Sequence, residues 1–450
     1  MTGPDIKLAL ERELRDLLAE RGTGPGLLSL SLSITSLDAV EWLAVQALFP
    51  KVYWQGRGES QLYAGVGAAL SLNGTQAGDE LWADLAQFRE EYPNAVLFGG
   101  LRFDPQRLPD AEWRDFGDGA FFLPSFLLVQ DDADTRLQCH IVVPPNSSEA
   151  SLLASLGTTC DGLRFDLPPR TPRPAAVSIS SDEPDRSRFV QSVTTLTDLI
   201  AAGDVEKVVL ARRMDVRFAG PVDPYRFVRH FKAMRSPAYF FCLQFTSATA
   251  FVGSSPERLY KRTGRHVCSE ALAGTRRRGS TPAEDAEWKT SLERSPKDRH
   301  EHRLVHDHIS VALAALCENF TAEEEPTVLQ LVLVQHLLSQ MSGTLGEGHD
   351  DTELLRALHP TPAVGGLPVQ PALKLIRDLE PFDRGWYAAP LGRISRDEVD
   401  LTVAIRSGLL HGNTLSLYCG AGIVADSDPD EEWAETESKF ANFLHVIEAE

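Results

Sequence analysis

Apolar and polar positions along this chain recur with two periods, and the switches between them outline its elements. Ile6, Leu10, Leu14 and Leu17 follow Asp5 at helical spacing, which predicts a helix over residues 5–21 with Asp5 as its cap. Residues 28–34 then alternate Leu/Ile with Ser, the period-two pattern of a strand with one buried face. Short β-like runs follow at 51–55, 62–67, 95–103, 121–129 and 137–143, separated by Gly, Pro, Asn and Asp turn residues. Strand follows strand with no regular helical crossover, which favours antiparallel sheet over a doubly wound parallel one.

Residues 167–174 hold four prolines, and a Ser-rich stretch continues to Asp185, the one clear break in composition. The chain therefore divides into residues 1–166, a linker at 167–185, and residues 186–450. Beyond the linker, Phe189, Val193, Leu196 and Ile200 mark an amphipathic helix that Gly203 ends. A strand is expected at 205–212, a helix near 223–235, strands at 238–246 and 249–253, and a strand entering Ala271. A long helical region covers 284–318, strands recur at 398–410 and 413–419, and a terminal helix covers 430–449. No internal repeat is present, and the class is α+β.

The chain has 450 residues, 43% of them apolar and 24% charged, which supplies a sizeable core. Lys and Arg number 44 against 64 Asp and Glu, a net charge of −20. Such a chain has no bulk attraction for nucleic acid or anionic lipid, so an anionic substrate would need a local cationic pocket. The six cysteines are scattered with no Cys-x-x-Cys, which reads as reduced core thiols. The segment Met1–Lys7 runs straight into the charged amphipathic stretch, and no apolar run reaches the ~18–20 residues that span a bilayer. The expectation is a soluble cytoplasmic protein.

Four features carry possible chemistry. Lys207 lies in an apolar strand, where it either reaches water along its stem or sits partly desolvated. Burial favours the neutral amine, the only form that acts as a general base. Asp298 with Glu301, and Glu432 with Glu435, each share one helix face a turn apart. The two faces are either solvated or meet as an oxygen-only cluster suited to Mg²⁺. His302 and His306 have i, i+4 spacing, but Arg303 and Leu304 stand where His-Glu-x-x-His needs its second histidine, and no third ligand is identifiable. Gly420–Ala425 formally matches G-x-G-x-x-G/A. Asp426, Asp428 and Pro429 follow at once, though, where a dinucleotide fold needs a helix, so the glycines signify close backbone approach to an anion at most.

From Val205 onward the chain resembles the chorismate-utilising enzymes, the group of anthranilate, aminodeoxychorismate, isochorismate and salicylate synthases. The resemblance runs in order through Lys207–Arg212, Gly253–Arg258, Glu270–Arg276, Gln335–Leu337, His359–Val364, Ile405–Ser407, Gly420–Val424 and Glu432–Lys439. Members that use ammonia carry Gln where Lys207 stands. Those with a covalent lysine carry it where Ala273 stands. The water-using members share Lys207, and the stretch His359–Gly366 resembles isochorismate synthases more than salicylate synthases. Tyr53–Arg57, Phe98–Asp104 and Phe121–Pro124 resemble the menaquinone-pathway type.

The resemblance implies two antiparallel sheets packed face to face with helices outside, and a Pro-rich stretch joining two halves of one fold. It implies Lys207 as base and Glu257 as acid in converting chorismate to isochorismate. Mg²⁺ would sit on Glu301 and Glu435, with Asp298 and Glu432 behind or bridged by water. Arg406, Lys439 and the amides near Gly422 would hold the enolpyruvyl carboxylate. Gly274 and Thr275 would line the ring-carboxylate side, Ala363 and Tyr387 would form apolar walls, and His336 would join the pocket. No amidotransferase partner is expected.

Overall fold

The structure, a computed structural model, describes residues 3–74, 79–167 and 177–448. The first helix runs Gly3–Arg21 and buries Ile6, Leu10, Leu14 and Leu18. Leu18, rather than Leu17, completes the stripe, and Asp5 lies inside the first turn, where its charge meets the positive helix end. The alternating Leu/Ser segment forms the strand Gly26–Ser33 and pairs with Thr135–Val143.

Among the described residues the strands form two antiparallel sheets of twelve and ten strands. Their facing sides share one core. Trp54, Leu210 and Phe241 of the first sheet belong to the same buried cluster as Phe98, Leu259 and Leu401 of the second. Tyr63 meets Phe98 across the gap at 5.4 Å between ring centroids, and the Tyr239 hydroxyl donates to Asp400 (3.1 Å). A second core lies on the outer side of the first sheet, where Leu10, Leu14, Leu156, Phe227 and Val228 of three helices cover Leu128, Cys139 and Cys242. The helix Pro296–Leu316 packs Val305, Ile309 and Leu313 toward the His266–Arg277 strand of the second sheet.

Neither sheet belongs to one half of the sequence. Lys51–Gln55 pairs with Tyr239–Gln244 in the first sheet, and Leu97–Leu101 pairs with Pro390–Ile394 in the second. Residues 168–176 of the Pro-rich linker lie outside the described residues. The stretch read as its Ser-rich end forms the strand Val177–Glu183 against Lys207–Phe218.

Three expected elements are divided by prolines or corners. Residues 121–129 contribute to two strands, Gly119–Leu123 in the second sheet and Phe126–Gln130 in the first, with Pro124 interrupting the ladder between them. Residues 398–410 likewise split into Glu398–Val403 and Ser407–His411, which lie in different sheets. The helical region 284–318 is two helices, Pro282–Arg294 and Pro296–Leu316. Ser295 ends the first and caps the second by accepting from Asp298 N. The terminal helix spans Pro429–Glu448. No helix among the described residues is long and apolar enough to cross a membrane.

Candidate active site

Two of the corners where the chain passes from one sheet to the other carry candidate residues. At the first, Thr249–Ser255 leaves the first sheet, and Arg258–Thr263 enters the second after Pro256 and Glu257. Glu257 is 4% exposed. Its N–H donates to Ser255 Oγ (3.2 Å), and its carbonyl accepts from Thr402 Oγ1 (2.5 Å) and Val403 N (3.1 Å). Burial, and then the Glu270 carboxylate, push its carboxyl up from 4.5 to about 8, against the pull of Lys207 and Arg57. This acid therefore holds its proton at neutral pH.

At the other corner Arg406 sits at φ +49°, between Glu398–Val403 and Ser407–His411. Its guanidinium forms no hydrogen bond or ion pair with the described residues, and burial lowers its pKa. An arginine held this way is a ready partner for a planar carboxylate.

Lys207 opens the strand Lys207–Phe218 and is 0% exposed. Its stem does not reach water, and Nζ donates to Glu301 Oε1 at 3.0 Å. The neighbouring strand supplies the room for this contact. A Cβ on Gly422 would lie 2.6 Å from Glu301 Oε1 and 3.0 Å from Lys207 Cε, so any larger residue there would have to displace the Glu301 carboxylate from this contact.

The two acidic faces do meet, but each carboxylate has its own basic partner. Asp298 pairs with Arg276 (2.5 Å), Glu301 with Lys207, Glu432 with Lys297 (2.8 Å) and Glu435 with Lys439 (2.6 Å). Glu301 and Glu435 line a common cavity, whereas Asp298 is turned to Arg276 and Glu432 to Lys297 and Ser427. Among the described residues no three acidic, His or Cys groups stand in position to hold a metal, the His302 and His306 pair included. Burial and the nearby Glu435 raise the Glu432 pKa. Glu435 itself is raised by burial but brought below its ordinary value by Lys439.

His336 lies on the strand Val334–Leu345, paired across a bulge to Thr275. Gly274, at φ +74°, makes that bulge. His336 Nδ1 lies 3.1 Å from the Gly274 carbonyl, an acceptor only, so Nδ1 carries the proton. Burial and then Arg406 push its pKa down to about 3. The imidazole is neutral, and its Nε2 is a buried acceptor without a partner among the described residues.

These groups enclose a cavity of about 730 Å³ including its mouth. Its lining contains Glu257, Gly274, Thr275, Glu301, His336, Ala363, Tyr387, Arg406, Gly422, Glu435 and Lys439. Of the residues expected at the site, Lys207, Asp298 and Glu432 are absent from the wall, and Lys207 stands behind Glu301 and Gly422. Lys439 Nζ also donates to the Gly420 carbonyl (2.6 Å), which fixes the glycine-bearing strand. Val209, Leu272, Ile405, Tyr418 and Cys419 are also among the wall residues, and none is marked as a site residue by the sequence, because each looks like an ordinary core residue. Tyr418 stacks on Tyr387 (5.2 Å), and burial holds the Cys419 thiol up at about 12, so it is inert. Lys297, facing three glutamates, carries no signal in the sequence beyond its place near a helix start.

The model of the family described as chorismate binding enzyme matches residues 12–448. The isochorismate synthase MenF of Escherichia coli K12 is 31% identical over 455 residues, covering 99% of both chains. The salicylate biosynthesis isochorismate synthase of Pseudomonas aeruginosa is 33% identical, covering 94% of this chain and 91% of its own. The solved structure of MenF, the menaquinone-specific isochorismate synthase from Escherichia coli, superposes with a TM-score of 0.84 at 29% identity. It covers 97% of this chain and 99% of that one. With the fold, the cavity and the family model agreeing over nearly the whole length, this chain belongs to the chorismate-binding enzymes.

Proposed function

We propose that the protein converts chorismate to isochorismate, an intramolecular hydroxyl transfer that makes it an isomerase, and that it supplies menaquinone formation. Water adds at C2 of the ring, the ring double bond shifts, and the C4 hydroxyl departs as water, so no water is consumed overall. Lys207, as the neutral amine, takes the proton from the attacking water, the ammonium so formed standing beside Glu301, and Glu257 gives a proton to the leaving hydroxyl. The single observation that carries the reading is the buried Glu257, its carboxyl pushed up to about 8, in the same cavity as Arg406 with Lys207 behind its wall. Residues in these two roles typically contribute about 10²–10⁴-fold each.

The anionic substrate is met locally despite the net charge of −20. Arg406 and Lys439 receive the enolpyruvyl carboxylate near the Gly422 amide, with a bidentate fork available from Arg406. Gly274 and Thr275 flank the ring carboxylate, Ala363 and Tyr387 confine the ring, and the neutral His336 Nε2 accepts from a ring hydroxyl. Glu301 and Glu435 offer hard oxygen donors on one cavity wall, and the like-charge crowding at Glu432 and Glu435 favours a cation there. Mg²⁺ held by Glu301 and Glu435, with Glu432 behind them on Lys297, would neutralise the ring carboxylate. Water as nucleophile removes the need for an ammonia-delivering subunit.

The test is incubation with chorismate and Mg²⁺ without ammonia, with products separated by chromatography, beside Lys207→Ala. Isochorismate alone, lost in the variant, is the expected result. Salicylate with pyruvate would move the protein to the neighbouring branch, and no consumption by folded protein would overturn the reading.

A further inference from the structure

Glu257 is held from both sides by one ion pair, of which Arg57 comes from the other half of the chain and Glu270 from its own. Arg57 sits in the turn after Lys51–Gln55, and its guanidinium grips Glu270 of the His266–Arg277 strand through both nitrogens, Nη1 to Oε1 at 2.7 Å and Nη2 to Oε2. The side chains are 12% and 1% exposed. Each partner also bonds one of the peptides flanking Glu257. Arg57 Nη1 donates to the Pro256 carbonyl (2.5 Å), and Glu270 Oε1 accepts from Arg258 N (3.0 Å). The strand that carries Glu270 continues through Leu272, Ala273, Gly274 and Thr275, all on the cavity wall.

We propose that Arg57 and Glu270 are positioning residues for Glu257, a bidentate pair that fixes the peptides before and after it and ties the reaction site to the N-terminal half of the fold. The role rests on the functional reading above, in which Glu257 is the acid. The planar fork matters here, because one guanidinium satisfies a carboxylate and a carbonyl at once and leaves little rotamer freedom. At this corner Ser255, Thr402 and Val403 hold the Glu257 N–H and carbonyl, and the pair fixes the two neighbouring groups, the Pro256 carbonyl and the Arg258 N–H. Without the pair, the carboxyl can drift by the fraction of an ångström that separates a productive proton donor from a misplaced one.

The pair also sets the charge around the acid. The charged groups facing Glu257 are Glu270, which disfavours its ionisation, and Lys207 and Arg57, which favour it. Removing the charge of Glu270 therefore draws the acid toward its ordinary value, and activity is then lost at lower pH than in the wild-type protein.

The experiment measures kcat and KM for chorismate with saturating Mg²⁺ across pH 6–9.5 for wild type, Glu270→Gln, Arg57→Ala and Arg57→Lys, with folding checked by circular dichroism. Glu270→Gln keeps an acceptor and leaves Arg57 free to reach the surface, so it tests the role even if Arg57→Ala fails to fold. The expected result is a kcat lowered roughly 10- to 100-fold with KM within about 2-fold. The descending pH limb of Glu270→Gln should move to lower pH, and Arg57→Lys should recover part of the loss seen in Arg57→Ala. Wild-type conversion together with wild-type kcat and an unmoved limb in folded Glu270→Gln would overturn the positioning role alone. No conversion by the wild-type protein would overturn the functional reading and this role with it.

Discussion

Burial turns Glu257 from an ordinary carboxyl into a proton donor usable at neutral pH, and the sign of the effect can be followed in two measurements. In the proposed mechanism the protonated form is the active one, so kcat should fall as pH rises through about 8, the value to which burial and Glu270 push the group. Stability follows the same shift. The contribution from a raised folded pKa is fully present below 4.5 and is lost as pH rises through about 8. Glu257→Gln should lower kcat by about 10²–10⁴-fold, abolish the descending limb and flatten the pH dependence of urea unfolding over that window. Gly422 gives a second test at this scale. Its Cβ would fall 2.6 Å from Glu301 Oε1, so Gly422→Ala should force the Lys207–Glu301 contact apart. The expected outcome is at least a tenfold loss of conversion with about 1–3 kcal/mol of destabilisation, read from kcat and a urea melt. Sequence pattern alone makes Glu257 a turn residue and Lys207 a strand lysine. Their chemistry is legible only because eight blocks of residues resemble one family in the right order.

Elements position these residues by their ends rather than by their middles. The strand interiors are plain in the sequence, since period-two alternation at 28–34 and apolar runs at 51–55 and 137–143 coincide with observed strands. The corners are not. Residues 121–129 and 398–410 read as single strands because β-like runs flank Pro124-Ser125 and Arg406 on both sides, and such an interruption does not tell a break within one sheet from a change of sheet. Buried charge is equally opaque. Arg384 and Glu380, 2% and 3% exposed, form a pair that spans the floor of the site. Arg384 donates to the carbonyls of Val209 and Val364 (both 2.8 Å), and Glu380 accepts from Ala211 N (2.7 Å). The pair thus locks the lysine-bearing strand to the loop that carries Ala363. Arg384→Ala leaves Glu380 buried without its cation and should cost about 3–5 kcal/mol, measured by urea unfolding at pH 7. A loss below about 1 kcal/mol would show that the floor is held by packing instead.

At the scale of the whole molecule, every candidate site residue lies in residues 186–450, which would suggest that this region works alone. The topology argues otherwise. Tyr239–Gln244, entirely buried, has Lys51–Gln55 as one of its two neighbours, and Pro390–Ile394, also buried, has Leu97–Leu101. Removing residues 1–185 would expose both strands as long apolar edges, the kind that pair with other chains and aggregate. It would also strip Tyr63 and Trp54 from the shared core and Arg57 from its place beside Glu257. A fragment of residues 186–450 should therefore express as aggregate and convert no chorismate, while co-expression with residues 1–185 as a separate chain, which keeps the strand Val177–Glu183, should recover soluble complex and part of the activity. Size-exclusion chromatography of the fragment checks the first half of this expectation and an isochorismate assay on the complex the second. A monomeric, active fragment would mean that the two-sheet core is not what holds the site open. The composition break at 167–185 is a real feature of the sequence, but hydrogen-bonded strand pairs on either side of it decide where the cooperative unit ends.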